Sequence, residues 1–411
     1  MASLAKSLAC LLVSVFSLPA IILGCAVFQY AKAVLPPGID QPLKVRFYFT
    51  LFLSVMALGF VLEKLGLQSL LGTLRLLVNG VLPFKDPSIL IQNEDFGEVP
   101  VRIYQSKKTG TERRKAVLFF HGGAGTFGSI DAYERICRHI AKETDSVVVA
   151  VGYHVAPENP YPNQYTECLK ATVHLMKNSE AYQVDSSRVI LSGDSFGATL
   201  ATYVCQLLVN RQDLPKVYAQ VLIYPALQGI DFSLPSYQQN RRVPLLWSEL
   251  IVYFGCRFLN ADLSILNDIL KNCHVPEAIR LKYRKWVSAD LIPEEFKVRG
   301  YKPEDFALRQ FKPKVYEEIK QVFEVSFSPL LAEDAIISKL PQTCLVTCEF
   351  DPLRDDGLLY KKRLEDHGVP VTWLHIKDGN HGMAVLFGYG VFSLPSAERI
   401  VRDTTTFIKN V

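Results

Sequence analysis

Short apolar runs recur along the chain, and most of them end directly in polar or glycine-rich residues. Runs of this length that are rich in branched and aromatic side chains favour buried strands over helices. In the last run, Val371–Ile376, apolar and polar residues alternate, which is typical of a strand with one exposed face. The predicted strands are Ala116–Phe120, Arg188–Leu191, Gln220–Tyr224, Cys344–Cys348 and Val371–Ile376.

Two longer uncharged runs lie near the N-terminus. Ser7–Ala31 is long enough to cross about 30 Å of hydrocarbon as a helix. A cleaved signal peptide is the alternative, but this run exceeds the roughly 7–15 apolar residues typical of such signals. We therefore expect an uncleaved anchor within residues 1–33. The second run, Phe47–Leu62, fits another span, a re-entrant segment or a helix lying in the membrane interface.

A nucleophile motif lies between a predicted strand and a helix-like stretch, Ala198–Val204. Ser192–Gly197 contains the pattern G-x-S-x-G, and a strand, a sharp turn and a helix form the setting in which this pattern exposes a nucleophilic serine. Gly193 and Gly197 fit this turn because they lack the Cβ atoms that would collide where strand and helix pass closely. Ser195 is therefore the candidate nucleophile.

A glycine-rich loop follows the strand Ala116–Phe120. Backbone N–H groups in such a loop can bind the oxyanion that develops during acyl transfer. A plain tight turn is one alternative. A phosphate-binding loop is another, but the chain has no G-x-x-x-x-G-K-[ST] and no G-x-G-x-x-G that opens a helix. We predict that the oxyanion hole is built from His121, Gly122, Gly123, Ala124 and Phe196.

The base is narrowed by chain order, because an acid and then a histidine follow the serine in folds with this elbow. Of the eight histidines, only three follow the candidate acid. His375 lies inside a predicted strand and His367 in a charged helix end, whereas His381 follows a strand end and precedes Gly382. We predict that His381 is the general base.

The acid is expected on the loop after Cys344–Cys348, at the edge where open α/β sheets carry their chemistry. Three aspartates lie there. Asp351 is nearest the strand end and is the favoured candidate, while Asp355 and Asp356 are the alternatives.

Five motifs follow one another between about Lys85 and the C-terminus. They are His121-Gly122-Gly123, Tyr153-x-x-Ala156-Pro157-Glu158-x-x-Tyr161-Pro162, Gly193-Asp194-Ser195-x-Gly197, Asp351-Pro352-Leu353-Arg354-Asp355 and Asp378-Gly379-x-His381-Gly382. This set resembles the signature of the hormone-sensitive lipase group of α/β-hydrolases. With the apolar N-terminus added, the chain resembles the membrane-anchored arylacetamide deacetylase branch, and within it the arylacetamide deacetylase-like 4 subgroup.

The resemblance implies an α/β-hydrolase fold with a mostly parallel central sheet, a helical lid insertion and an N-terminal transmembrane helix. It also implies carboxylesterase or deacetylase activity without a cofactor, and a catalytic domain in the lumen of the endoplasmic reticulum. The chain departs from the family pattern at Ala124, where the loop usually has a third glycine, and at Phe196, where a small residue is usual. Both residues keep a backbone N–H, so the departures affect the shape of the pocket and the choice of substrate.

The resemblance also suggests a division of the chain. Residues 1–33 are the anchor, 34–84 a second apolar, membrane-proximal segment, and 85–411 the catalytic domain, with a lid at about 230–325. The lid stretch is rich in aromatic and basic residues, which fit either a solvated helix face or a surface resting on the membrane.

Composition excludes several other classes of protein. The 411-residue chain is 49% hydrophobic, and its net charge of +4 gives no reason to expect nucleic-acid binding. Its nine cysteines include no C-x-x-C pair, so neither a zinc site nor a dense disulfide framework is indicated.

Together these observations predict a membrane-anchored serine carboxylesterase or deacetylase that cleaves ester or amide bonds of apolar or lipid-like small molecules. We expect it to contact membrane lipid and to need neither a metal nor a cofactor; its oligomeric state is left open. The alternative is a catalytically silent, membrane-anchored binding protein on a hydrolase scaffold. A weaker alternative is a transferase in which an alcohol replaces water during deacylation.

Overall fold

The computed structural model describes residues 35–79, 86–107, 113–303 and 310–411. The predicted anchor, Ser7–Ala31, and the predicted start of the catalytic domain at residue 85 lie outside the described residues.

An eight-stranded sheet forms the centre of the fold, in the order β1-β2-β4-β3-β5-β6-β7-β8. Strand β2 runs antiparallel to both of its neighbours, and all other pairs are parallel. The expected α/β fold with a mostly parallel sheet is therefore confirmed. The strands are β1 Ile89–Asp95, β2 Pro100–Ser106, β3 Arg114–Phe120, β4 Val147–Val151, β5 Val184–Asp194, β6 Ala219–Ile223, β7 Gln342–Phe350 and β8 Val371–Asn380.

Helices cover both faces of the sheet and fill the connections between strands. Within the described residues they are α1 Pro42–Lys64, α2 Leu70–Val78, α3 Glu134–Thr144, α4 Asn163–Lys177, α5 Phe196–Leu208, α6 Pro235–Gln239, α7 Ser248–Leu259, α8 Leu266–Leu270, α9 Glu277–Tyr283, α10 Pro313–Ile319, α11 Asp334–Ile337, α12 Arg354–Asp366 and α13 Pro395–Asn410, with short 3-10 turns between them.

Two apolar layers lie on opposite faces of the sheet, because successive strand residues point to opposite sides. Leu118 and Leu191 pack with helices α4, α5 and α12 on one face. Their neighbours Val117 and Ile190 pack with α3 and α13 on the other face. Both faces are therefore buried, which explains why the fully buried stretches of the central strands are mostly apolar.

The chain between β6 and β7 forms a mainly helical insertion from α6 to α11, over the stretch predicted as a lid. Its helices share a small apolar cluster that includes Val252, Ile269 and Ile319. The insertion lies beside the carboxyl ends of the central strands, because its residues line a cavity that reaches Ser195.

The two N-terminal helices pack on each other and on the insertion. Leu70, Leu71 and Leu74 of α2 are buried against Leu250 and Phe254 of α7. The predicted apolar run Phe47–Leu62 lies within α1, and in the described part of the chain α1 alone is long and apolar enough to cross a membrane.

Candidate active site

Ser195 occupies the turn between β5, which ends at Asp194, and α5, which begins at Phe196. Its backbone has φ 52° and ψ −121°, a region that non-glycine residues rarely enter and that is found mainly at functional sites. Its N–H donates to the carbonyl of Ile223 at 2.8 Å. The predicted nucleophile therefore lies on a strained strand-to-helix turn at the carboxyl edge of the sheet.

Two glycines make this turn sterically feasible. A Cβ atom at Gly197 would lie 2.0 Å from the carbonyl oxygen of Phe120, and one at Gly193 would lie 2.4 Å from the backbone of Gly197. Neither collision can be relieved by a side-chain rotation, because backbone atoms are the obstacle. The predicted reason for both glycines is confirmed.

The predicted base and acid lie next to the serine. His381 Nε2 is 2.8 Å from Ser195 Oγ, and His381 Nδ1 is 2.8 Å from Asp351 Oδ2. Asp351 is fully buried, and its other carboxylate oxygen accepts a hydrogen bond from the N–H of Leu353 at 2.8 Å. One chain of hydrogen bonds thus runs from the serine through the imidazole to a buried carboxylate, with each residue supplied by a different strand end.

The two alternative acids have other partners. Asp355 accepts hydrogen bonds from the N–H of Ser236 and from its neighbour Arg354. Asp356 accepts hydrogen bonds from the N–H of Leu227 and from Tyr237 Oη. Both carboxylates tie helix α12 to the chain that follows β6, so the geometry favours Asp351 as the acid.

The other two downstream histidines also face away from the serine. His375 Nδ1 is 3.0 Å from Thr347 Oγ1, and its Nε2 is 3.3 Å from Glu349. His367 Nδ1 is 2.7 Å from the carbonyl of Arg363. Neither histidine shares a hydrogen bond with Ser195 in the described residues.

The glycine-rich loop lies beside the serine, but its N–H groups differ in what they bind. The N–H of Gly122 donates to the carboxylate of Asp194 at 2.7 Å, so this predicted oxyanion donor is already occupied and does not fit the role. The N–H groups of Gly123, Ala124 and Phe196 make none of the backbone or side-chain hydrogen bonds between described residues. These three are the donors that the geometry leaves available.

His121 supports the loop from within the protein. Its ring stacks on Tyr153 with ring centres 4.1 Å apart, and its Nδ1 is 2.8 Å from the carbonyl of Gly122. Tyr153 Oη in turn donates to the carbonyl of His121 at 2.6 Å. Burial lowers the pKa of His121 to about 4, so near neutral pH its ring is uncharged and Nδ1–H donates to Gly122.

Asp194 links the nucleophile turn to this loop, a role that the sequence motif did not reveal. Besides the N–H of Gly122, its carboxylate accepts hydrogen bonds from Tyr133 Oη at 2.9 Å and Tyr224 Oη at 3.3 Å. Burial raises the pKa of Asp194 to about 6, and the hydrogen bonds from Tyr133 and its other donors oppose that shift. The residue before the nucleophile therefore fixes the position of the loop across the site.

Arg75, on the N-terminal helix α2, is a second residue that sequence reasoning missed. Its guanidinium donates to the carbonyls of Thr126 at 2.9 Å and Ala156 at 2.8 Å. It also forms a two-point ion pair with Glu158, with both N–O distances 2.8 Å. The N–H of Ala156 donates back to the carbonyl of Gly125 at 2.8 Å. The motif around Glu158, whose role the sequence left unexplained, therefore connects α2 to the glycine-rich loop.

An apolar cavity of about 120 Å³ opens beside Ser195. Its wall combines the glycine-rich loop, the start of α5 and the insertion, and its polar side chains are few. A cavity of about 150 Å³ holds one benzene ring, so this cavity suits a group of about that size. The aromatic residues around it are Tyr165, Phe196, Phe232, Tyr237, Phe254, Phe258 and Phe327.

Comparison with known proteins places the chain in a family. A family model described as the alpha/beta hydrolase fold matches residues 117–264 and 304–385. Human arylacetamide deacetylase-like 4 is 42% identical over 97% of this chain and 99% of its own length. Mouse arylacetamide deacetylase-like 3 is 43% identical over 97% of each chain. The chain belongs to the arylacetamide deacetylase-like family of α/β-hydrolases.

More distant members and solved structures agree with this assignment. Bovine arylacetamide deacetylase is 35% identical over 89% of this chain and 93% of its own. A thermostable esterase from Pseudomonas putida superposes with a TM-score of 0.66 at 19% identity, covering 92% of this chain and 98% of the esterase. An esterase from Pyrobaculum calidifontis superposes with a TM-score of 0.61 at 21% identity, covering 90% and 98%. At these low identities the two structures support the fold alone.

In this arylacetamide deacetylase-like chain, Ala124 and Phe196, the two residues expected to depart from the family pattern, both line the cavity. Ala124 adopts φ 52°, a left-handed conformation that favours glycine, so the alanine is held there at a conformational cost of about 1–2 kcal/mol. The ring of Phe196 packs edge to face on Phe258, with ring centres 4.9 Å apart. Both side chains therefore form part of the cavity wall, and position 124 keeps a backbone conformation that favours glycine.

Proposed function

We propose that this chain is a membrane-anchored serine hydrolase of the carboxylesterase or deacetylase type. The observation that supports the proposal is the hydrogen-bonded series Ser195, His381 and Asp351, which ends at an apolar cavity. A serine, a histidine and a buried carboxylate in this order can carry out acyl transfer on unrelated folds, so geometry rather than sequence position is the relevant evidence.

In the proposed mechanism Ser195 Oγ attacks the carbonyl carbon of an ester or amide, and His381 Nε2 takes the hydroxyl proton. Asp351 accepts the hydrogen bond from Nδ1–H and stabilises the imidazolium that forms. The tetrahedral intermediate then collapses, and His381 gives the proton to the departing alcohol or amine. Water attacks the acyl-enzyme with His381 again as base, which releases the carboxylic acid and restores Ser195.

The oxyanion of each tetrahedral intermediate is proposed to bind the N–H groups of Gly123, Ala124 and Phe196. Gly122 is left out because its N–H is held by Asp194. The last of the three donors lies at the first residue of α5, where helix N–H groups lack an intrahelical acceptor. The partial positive charge of a helix N-terminus also stabilises negative charge there.

The size of the cavity suggests which esters are cleaved. Its volume of about 120 Å³ accommodates a short acyl or aryl group, and its lining offers apolar surface. We expect kcat/KM on p-nitrophenyl esters to be highest for acetate to hexanoate. It should fall at least about tenfold for dodecanoate, since excluding even one methylene is worth about 1–3 kcal/mol. Initial rates across the acyl series measure this directly.

The same series tests the proposed function. Ser195→Ala, which removes only the hydroxyl oxygen of the nucleophile, is the matched control at each chain length. Hydrolysis by the wild type above this control supports the proposal. Equal rates for both proteins across all esters would contradict it, and a preference that rises towards dodecanoate would contradict the size argument alone.

Arg75 is expected to act as a positioning residue for the oxyanion donors. Arg75→Gln removes the ion pair with Glu158 and loosens the loop carrying Gly123 and Ala124. We expect kcat to fall by roughly tenfold with KM little changed, which is less than the 10²–10³-fold loss caused by deleting an oxyanion donor outright. Steady-state kinetics on one short-chain ester separate the two parameters.

Two further variants distinguish positioning from a general loss of stability. Arg75→Lys keeps the positive charge and is expected to recover part of kcat. Arg113→Gln removes an ion pair with Glu180 in which both side chains are largely exposed, and such pairs contribute little, so its kinetics should match the wild type. Equal kcat in the wild type and Arg75→Gln would rule out the positioning role.

We also propose that residues 1–33 anchor the chain in the endoplasmic reticulum membrane and that the hydrolase domain, from residue 85 onwards, lies in the lumen. The uncharged segment Ser7–Ala31 supports the anchor, and the likeness to the arylacetamide deacetylase branch supports the compartment. Charges do not decide the orientation, because Lys32, Lys44 and Arg46 on one side rival Lys6 on the other.

A further inference from the structure

Helix α1, Pro42–Lys64, has the length and composition of a membrane span. Its 23 residues extend over about 35 Å, which is enough to cross the hydrocarbon core. Length and composition do not show whether it crosses the membrane or lies along its surface. The contacts of the helix with the rest of the protein distinguish these two orientations.

The first half of α1 is attached to the hydrolase fold. Val45 is fully buried, and Lys44 Nζ donates to the carbonyl of Ser393 at 2.9 Å. Tyr48 Oη donates to the carbonyl of Phe392. A segment with these partners lies against the body of the protein and is not surrounded by lipid.

The rest of α1 packs on Trp247 and then on α2 down to its last turn. Phe52 packs edge to face on Trp247, with ring centres 6.5 Å apart. A Cβ atom at Gly59 would lie 2.7 Å from the side chain of Leu70. Glu63 accepts a hydrogen bond from the N–H of Leu70 at 2.6 Å. Because one side of α1 touches the protein from residue 44 to residue 63, the helix cannot pass through a bilayer while these contacts last.

The opposite side of α1 is apolar and exposed. Leu43, Phe47 and Leu58 have 71%, 50% and 42% of their surface exposed. Leu43, Phe47, Leu51 and Leu58 are spaced by four, four and seven residues, so they form one stripe along the helix. Leu76 of α2 is also 72% exposed. Exposed apolar area of this extent marks an interaction surface in most soluble proteins.

We propose that α1 lies flat in the membrane interface, with this stripe inserted among the lipid headgroups and upper acyl chains. A bilayer is the occupant that the chain itself indicates, because the uncharged segment Ser7–Ala31 ends only eleven residues before Pro42. A helix with one apolar face and one attached face inserts about 5–10 Å into the headgroup and acyl boundary. The basic residue in the last turn of α1, Lys64, suits the anionic headgroup layer.

This placement brings the cavity close to the membrane surface. Leu250 and Phe254 of α7 pack on α2, and Phe254, Gly255 and Phe258 of the same helix line the cavity beside Ser195. Apolar esters dissolved in the bilayer would therefore reach the cavity by way of α7. This last consequence rests on the proposed function, whereas the orientation of α1 does not.

Depth-dependent fluorescence quenching tests the orientation in the full chain. Phe47→Trp, Leu51→Trp and Leu58→Trp each place a reporter on the exposed stripe, and Leu207→Trp places one on an exposed position at the far end of α5 as control. Each variant is reconstituted in phosphatidylcholine vesicles with bromine at a shallow or a deep acyl position. The signal is the difference from the unsubstituted protein, which has three tryptophans of its own.

We expect shallow bromine to quench the three stripe reporters equally, deep bromine to quench them weakly, and the Leu207 reporter to stay unquenched. Strong deep quenching at Leu51 or Leu58 with shallow quenching at Phe47 would show that the helix spans the membrane and would overturn the proposal. Absence of quenching at all three stripe positions would also overturn it, and chemical cross-linking would then show whether a second copy of the chain covers the stripe. Because no outcome depends on turnover, failure of this proposal is distinguishable from failure of the proposed function.

Discussion

His381→Ala is expected to lower kcat on a short-chain ester by roughly 10⁴- to 10⁶-fold, as loss of the histidine does in other serine hydrolases. Without the imidazole, no other side chain among the described residues hydrogen-bonds Ser195 Oγ to take its proton, so the proton transfer to the leaving group is lost as well. Binding and the oxyanion donors are untouched, so a small rate above that in water should persist. Single-turnover kinetics with an activated ester measure the loss of the acylation step itself.

His375→Ala is the matched control, because it removes the same side chain from the middle of β8, the strand that His381 follows. Its imidazole contacts Thr347 and Glu349 and no atom of Ser195, so kcat should stay within about tenfold of wild type, with any further loss appearing as lower thermal stability. Near-normal turnover by a well-folded His381→Ala protein would contradict the proposed role of the base.

Much of the fold could be predicted because the central strands are buried on both faces. In β3, β5, β6 and β7 the fully buried stretch of each strand is mostly apolar, which leaves a short apolar run in the sequence. The edge strand β1 has no such apolar run. Its residues Gln92 and Asn93 are exposed to solvent, and Glu94 is only partly buried. The role of Gly193 and Gly197 could also be predicted, because a Cβ atom at either position would collide with backbone atoms of the turn.

Two of the three candidate catalytic residues could also be predicted from the sequence. Chain order and position after a strand end singled out Ser195 and His381, and these residues share a hydrogen bond. Proximity to the strand end favoured Asp351 without excluding its neighbours, and only the three-dimensional partners of Asp355 and Asp356 decided between them.

The positions of hydrogen-bond donors could not be predicted. A glycine-rich loop shows that N–H groups are available but not which of them is free, and Gly122 proved to be held by Asp194. Arg75 contacts Thr126 and Ala156, which lie 51 and 81 positions further along the chain. No local sequence pattern indicates partners at such separations. The attachment of α1 to the rest of the protein could not be predicted either, since its apolar run fits a span and an interfacial helix equally well.

Ser195→Ala is expected to abolish both turnover and covalent labelling by a fluorophosphonate. In the wild type Ser195 Oγ bonds to phosphorus and fluoride leaves, while His381 accepts the hydroxyl proton, so the label reports an activated serine without any knowledge of the natural substrate. In the variant the attacking oxygen is gone, and the rate should drop to the residual level that binding and the oxyanion donors alone provide, a loss on the order of 10⁶-fold.

Fluorophosphonate labelling of the folded full-length chain, with the modified residue located by peptide mass spectrometry, tests the central claim most directly. The account predicts one adduct on Ser195 in the wild type, no adduct in Ser195→Ala, and slow labelling in His381→Ala. Folded wild-type protein that stays unlabelled under conditions that label a control esterase would contradict the account and favour a binding protein on a hydrolase scaffold.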